Sequence, residues 1–331
     1  MAVSSGAEYA LGIDVGGTKI YAGVVDLASG RVLGTGRKRT RPERGADFFA
    51  QRVQDVAAAA LDSAKLPHGA RVTGIGIGLA GQVDRARGLL LGAPNLAAGV
   101  VDMPIRDLLA ARFGLPVAIG NDVEIGAYGE QHYGAGRGCD DFVCVFVGTG
   151  VGGALVEGGQ MRRGATGTAG EIGHTVVMYD GRVCGCGGRG HLEAYASRTA
   201  ITRVLLAELA RGRHSLLSEL HNPDDKMVRS KVLARCEQEG DELVLDTLRE
   251  AGDYLGAGLA SLANLVNPER IIIGGGLIDA TQTVFDRAKH KAHDVALPVP
   301  ARELDVVRTK LGDDSGIIGA AWMAAHARSD E

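Results

Sequence analysis

Two short glycine loops carry the first chemical signal. Asp14-Val15-Gly16-Gly17-Thr18-Lys19 lies between two apolar runs. Its glycines leave backbone N–H groups open to an anion, Thr18 adds a hydroxyl, and Lys19 adds a point charge. Asp14 suits Mg²⁺ held through water, because that ion takes hard oxygen ligands. A plain hairpin turn with a solvated lysine is the competing reading. Val147-Gly148-Thr149-Gly150-Val151-Gly152-Gly153 is a second loop of the same design. Neither is a Walker A sequence, and neither opens a helix as a dinucleotide fingerprint does. Two hairpin-type loops suggest phosphates gripped from both sides of a cleft. Gly274-Gly275-Gly276, following Ile271-Ile272-Ile273, is a third close-approach site, suited to the flat face of an adenosine. Taken singly, it reads first as a strand-to-helix turn.

Asp122 stands where a strand hands over to a helix, at the strand end where α/β clefts usually form. A carboxylate there can take a proton from a hydroxyl or cap the helix that follows, and the residues alone leave both open. His174, Cys184, Cys186 and His191 offer two imidazoles and two thiolates within a short span. Four such ligands suit a closed tetrahedral Zn²⁺ site, which would be structural. The alternative is a His191 that points away. Cys139, Cys144 and Cys236 read as small buried apolar residues.

The elements that must position these groups alternate between strands and helices. Strands are expected at Tyr9 to Asp14, Ile20 to Asp26, Arg31 to Arg39, Val72 to Gly78 and Pro116 to Gly120. Helices are expected at Ala46 to Leu66, Pro104 to Phe113 and Val123 to His132. A second strand-rich block starts with Phe142 to Val147 and Ala154 to Glu157. Helices Ser197 to Gly212 and Glu242 to Asn267 follow, with an exposed connection at His214 to Asp225. Strand Arg270 to Ile273 and helix Ile317 to His326 complete the reading. The strand–glycine turn–strand unit around Asp14 is echoed at Gly148, as a duplicated nucleotide-binding core would leave it. This is an α/β protein with partly parallel sheets.

Its 331 residues point to two domains. A formal charge of −4 gives no support for a nucleic-acid or anionic-membrane partner, and Arg37-Lys38-Arg39 and Arg85-x-Arg87 read as solvated faces. The N-terminal residues lack the basic start and sustained apolar run of a secretory signal, so none is expected; no stretch reaches the roughly 20 apolar residues that a membrane helix needs, and the number of cysteines is odd. A cytoplasmic location is expected.

The chain resembles the ROK family (repressors, open reading frames and kinases) within the sugar kinase–actin–Hsp70 superfamily, from about Leu11 to Ala325. The most specific part is Glu171-Ile172-Gly173-His174 followed by Cys184-Gly-Cys186-Gly-Gly-Arg-Gly-His191-Leu-Glu193. The family pattern has Cys at the position of His191. That exchange makes a zinc centre neutral, where three thiolates and one imidazole would leave it at −1.

The resemblance implies a two-domain actin-like ATPase (ribonuclease H-like) fold with a cleft. Its domains would be 1–121 plus 313–331, with the first phosphate loop and part of the sugar site, and 122–312, with the second loop, zinc site and adenosine loop. It implies that Asp122 is the catalytic base. Asn95, Asn121, Glu171, His174 and Glu193 would contact sugar hydroxyls, and one ring nitrogen of His174 would stay free of the metal. ATP, Mg²⁺ and structural Zn²⁺ are the implied cofactors, and a homodimer or higher homo-oligomer the implied assembly. The expected reaction is glucose to glucose 6-phosphate. N-acetylmannosamine or another hexose or N-acetylhexosamine is the alternative acceptor, and a non-catalytic sugar sensor the alternative class. A repressor of this family would need a DNA-binding domain before the first strand, where only about eight residues stand.

Overall fold

A computed structural model describes residues 9–92 and 100–326. The chain begins with β1 (Tyr9–Val15), β2 (Lys19–Asp26) and β3 (Arg31–Arg39), then α1 (Ala46–Ser63) and β4 (Val72–Leu79). A small hairpin, β5 (Gln82–Asp84) and β6 (Leu89–Gly92), precedes α2 (Ile105–Phe113), β7 (Val117–Asn121) and α3 (Asp122–Tyr133). A second series opens with β8 (Phe142–Val147), β9 (Val151–Glu157) and β10 (Gln160–Arg162). Helices α4 (Glu193–Ala196), α5 (Arg198–Ala210), α6 (Leu217–Leu220), α7 (Ser230–Gln238) and α8 (Glu242–Val266) follow. Then come β11 (Arg270–Gly274), α9 (Gln282–Val295), α10 (Pro298–Glu303), β12 (Asp305–Arg308) and α11 (Ser315–His326).

The chain divides into two compact units, residues 1–138 with 313–331 and residues 139–312. Each is built on a five-stranded sheet of the same order, β3-β2-β1-β4-β7 in the first and β10-β9-β8-β11-β12 in the second. In each sheet the first three strands form an antiparallel meander, and the other two pair in parallel beside the first. The echo of one glycine loop by the other is therefore an echo of whole sheets.

The first unit extends to Gly138, past the expected boundary after Asn121. Helix α3 stays with β7 because it packs on α11, which also covers β1 and β4. This packing is backbone-close. A Cβ at Gly12 of β1 would sit 1.8 Å from Ile317 O, and one at Gly76 of β4 would sit 1.8 Å from Ala320 O. Any side chain at either glycine would push the last helix off the sheet.

The core of the first unit comes from Leu11, Ile13 and Ile75 on the sheet with Phe49 and Val53 of α1. In the second unit β8 and β11 pack against the apolar stripe of the 25-residue α8, including Leu248, Leu255 and Leu259. The segment from His214 to Asp225 is more ordered than expected. It contains α6, whose Leu217 is fully buried, and Asp241 accepts hydrogen bonds from Ser215 Oγ and Leu216 N at 2.8 and 2.6 Å. Cys144 and Cys236 are buried, and Cys139 is half-buried.

Candidate functional site

In the first unit the parallel strands deliver their side chains to one end of the sheet. Asp14, next to last in β1, pairs in register with Gly78 of β4, and Leu79 pairs with Asn121 of β7. The end of β7 passes directly into α3, whose first residue is Asp122. The cap of that helix is Asn121. Its side-chain oxygen accepts from Val123 N at 2.8 Å, and Glu124 returns a bond to Asn121 N at 3.1 Å, completing a capping box. The Asp122 carboxylate lies 3.1 Å from the same Val123 N. Asn121 Nδ2 also donates to Gly81 O at 3.3 Å. One lone pair and one N–H of the Asn121 amide remain for a ligand.

The Asp14 carboxyl is pushed from its ordinary 3.8 up to about 7. Burial is the main cause, the Asp122 charge adds to it, and Lys19 opposes it. Gly316, in the first turn of α11, brings that helix onto Asp14; a Cβ there would lie 3.2 Å from Asp14 Oδ2. Lys19 reaches Asp313 instead, with Nζ to Oδ1 at 2.8 Å, while Arg37 holds Oδ2 of the same carboxylate at 2.8 Å. Burial would raise the Asp313 pKa, but Lys19 and Arg37 hold it below the ordinary value. The solvated faces expected for the basic clusters are therefore partly engaged. Besides Arg37, Lys38 pairs with Asp55 at 3.0 Å and Arg85 with Glu124.

The loop of the first unit closes with Gly16 N donating to Lys19 O at 2.9 Å, and Thr40 Oγ1 donates to Gly16 O at 2.7 Å. The corresponding loop of the second unit closes with Gly148 N donating to Gly150 O at 2.9 Å. Glu193, opening α4, accepts from Val151 N at 2.9 Å just beyond that loop. A Cβ at Gly150 would lie 2.3 Å from Glu193 Oε2, so only glycine allows the approach. Gly274 ends β11, and Gly275, at φ +96°, turns back so that a Cβ would meet Val147 O at 2.7 Å.

His174, Cys184, Cys186 and His191 come together in the second unit, with one donor atom from each within 4.8 Å of the others. The two Nδ1 atoms are 3.4 Å apart, Cys184 Sγ is 3.8 Å from His174 Nδ1, and Cys186 Sγ is 3.2 Å from His191 Nδ1. Tetrahedral zinc, with bonds of about 2.0–2.3 Å, requires edges of roughly 3.3–3.8 Å. Three of the separations lie at or near those edges, and a set of two imidazoles and two thiols suits the metal.

Binding through Nδ1 would keep the donor of His191 close to its backbone, and Gly188 leaves room for the ring. A Cβ at Gly188 would lie 2.3 Å from His191 Cε1. Burial pushes the Cys184 thiol up to about 11. His174 turns its other nitrogen, Nε2, toward Glu171 Oε2 at 3.9 Å. Cys184 Sγ lies 3.7 Å from Glu193 Oε1, so Glu193 links the thiol cluster to the glycine loop.

Within the first unit, Asp14, Lys19 and Asp122 share one sheet end; within the second, Glu171, His174 and Glu193 share the ligand cluster. Asn95 lies outside the described residues. Sequence reasoning missed Asp313, whose contact with Lys19 spans 294 positions of chain. An Asp-Asp pair before the last helix was the one readable hint.

The model of the ROK family matches residues 10–327. A glucokinase of Streptomyces coelicolor is 36% identical over 323 residues, covering 95% of this chain and 96% of that protein. A glucokinase of Thermotoga maritima is 34% identical over 311 residues, covering 94% and 95%. Among solved structures, a ROK family glucokinase from Streptomyces griseus in complex with glucose and AMPPNP aligns with a TM-score of 0.84. It is 36% identical and covers 96% of this chain and 99% of that one.

Proposed function

The chain belongs to the ROK family, and we propose that it is an ATP-dependent sugar kinase that converts glucose to glucose 6-phosphate. The observation that carries this reading is the placement of Asp122. It opens α3 at the end of β7, while the neighbouring Asn121 takes the capping role. The relatives named above supply the substrate pair, glucose and ATP.

In this reading Asp122 accepts the proton of the attacking hydroxyl. The N–H groups and side chains of Gly16, Gly17, Thr18 and Lys19, with those of Gly148, Thr149 and Gly150, hold the donor's phosphates. Gly274, Gly275 and Gly276 allow close approach of the adenosine. Asp14 is suited to Mg²⁺ through water, and a bound cation would draw its carboxyl back to the ionised form. Asn95, Asn121, Glu171, His174 and Glu193 hold the sugar hydroxyls.

His174, Cys184, Cys186 and His191 would hold Zn²⁺ as a neutral, four-ligand structural centre. Its contribution is to fix the His174 ring, leaving Nε2 beside Glu171 to meet the sugar. No described helix is long and apolar enough to cross a membrane, and a cytoplasmic homodimer or higher homo-oligomer completes the proposal.

The test is ATP consumption with Mg²⁺ against hexoses and N-acetylhexosamines. Strong stimulation by glucose is expected. Stronger stimulation by N-acetylmannosamine would reassign the acceptor, and no stimulation by any sugar in folded, zinc-loaded protein would overturn the kinase reading.

A further inference from the structure

The two glycine loops occupy the same place in two sheets of the same strand order, yet only one carries a charge of its own. Lys19 stands at the end of the first loop; residues 147–153 contain no cation. A loop that grips phosphate with backbone N–H groups alone lacks the point charge that the other has. Worse, Glu193 places a carboxylate 2.9 Å from Val151 N, beside the loop's last turn.

Arg198 supplies the missing charge through space. It is the first residue of α5, which is capped by Ser197 accepting from Ala200 N at 3.1 Å. The start of this helix is stitched onto the loop. Arg198 N donates to Gly148 O at 2.9 Å, and Thr199 Oγ1 donates to Thr149 O at 2.7 Å. The guanidinium then reaches Thr149 Oγ1 through Nη2 at 3.1 Å and Ser230 Oγ through Nη1 at 3.2 Å.

These contacts use two of its five N–H donors. Its Nε is buried and has no hydrogen-bond partner, and among the described residues no carboxylate pairs with this arginine, burial being the one influence on its pKa. Burial correspondingly lowers its pKa. A half-buried guanidinium held by two neutral hydroxyls, without a counter-ion, is unusual. Desolvated charges are normally paired, because an unpaired one is costly.

We propose that Arg198 is the cationic phosphate ligand of the second glycine loop, the counterpart in that unit of Lys19. It would bind the polyphosphate of a nucleoside triphosphate through charge-assisted hydrogen bonds, for which the planar fork of arginine is well matched. The inference rests on the kinase reading, and adds a residue outside both glycine loops to it.

The test uses the full chain and the variants Arg198→Gln and Arg198→Lys, with inorganic tripolyphosphate as the probe. Arg198→Gln should raise the KM for ATP about 10- to 100-fold, as expected for losing a charged hydrogen-bond donor. It should weaken competitive inhibition by tripolyphosphate by a similar factor and leave the KM for glucose within about twofold. Arg198→Lys keeps the charge but loses the fork, and should fall between. Tripolyphosphate should raise the thermal midpoint of the wild type but not that of Arg198→Gln, a readout that needs no turnover.

An Arg198→Gln protein with a lower thermal midpoint but unchanged ATP KM and tripolyphosphate inhibition would make Arg198 a structural tie and overturn the proposal. If Arg198→Gln does not fold, an unchanged ATP KM together with unchanged tripolyphosphate inhibition in Arg198→Lys overturns it equally. Wild-type protein that consumes no ATP with any sugar, yet is protected by tripolyphosphate through Arg198, would sink the kinase reading and leave this one standing.

Discussion

The two units share a strand order but not a way of holding ionisable groups. In the first unit the groups that matter sit on the sheet itself. Asp14 is in β1, Lys19 starts β2, and Asp122 follows directly on β7. In the second they sit on the segment between β10 and α4, whose only regular piece from residue 163 to 192 is the short turn Ile172–His174. So long a connection without secondary structure is costly to order. The four donor atoms of His174, Cys184, Cys186 and His191 lie where a metal would staple it. The end of a paired strand can hold a carboxylate by backbone register alone, whereas an irregular segment needs a cross-link to hold one as well.

The sharpest break of this comparison is in the first unit. Asp122→Asn should lower turnover about 10²- to 10⁴-fold, the usual range for a general base, with glucose binding measured by calorimetry little changed. An equal loss of both would make Asp122 a structural residue.

Asp14→Asn separates function from stability. Its folded pKa of about 7 lies above the ordinary 3.8. The native state therefore keeps a proton that the unfolded chain releases. The associated stability is fully present below about pH 4 and is lost as pH rises toward 7. The variant should lose about 10²-fold in Mg²⁺-dependent turnover, yet melt higher than the wild type at pH 7.5 without nucleotide, and show no such gain below pH 4. A variant less stable at both pH values would contradict the burial argument.

In the second unit, Cys184→Ser with Cys186→Ser should abolish zinc content by elemental analysis, and His191→Cys should retain it. Loss of metal should raise the KM for glucose more than that for ATP, since Glu171 and His174 lie on the stapled segment. Wild-type protein purified without zinc would remove the staple from the argument.

The smallest effect is expected from Gly188→Ala, which crowds the His191 ring but leaves all four ligand residues in place. Metal affinity by competition with a chelator should fall about tenfold, as for other residues that orient ligands.

The sequence made the sheets and loops readable wherever a period-2 apolar run met a glycine. Arg31–Arg39 and Phe142–Val147 coincide with their expected bounds, and the other expected strands differ at their ends by one to three residues. The Asp122 ambiguity was readable as an ambiguity: Asn121 holds the N-cap position, and the Asp122 carboxylate also accepts from Val123 N. Strands β5, β6, β10 and β12 and helices α7, α9 and α10 carried weaker signals, being short, polar or both. The buried residues of α9 are Val284, Ala288 and Ala292, a stripe too thin to stand out. Arg198 was invisible for another reason. It meets Thr149 across 49 positions of chain, and nothing in local composition marks such a return. Asp313 is further still from Lys19, at 294 positions.

The closeness of Gly12 to Ile317 also has a temporal side. The first strand and the last helix of the same unit are made at opposite ends of synthesis, roughly 15–60 s apart at ordinary ribosomal speeds. The second unit is continuous in the chain, so it can fold on the ribosome while β1 still waits for its cover. Until α11 emerges, Asp14 lacks the helix that buries it. The nascent chain is thus expected to acquire its stapled segment first and its nucleotide chemistry last, so that a polypeptide released before α11 would bind metal without being able to spend ATP.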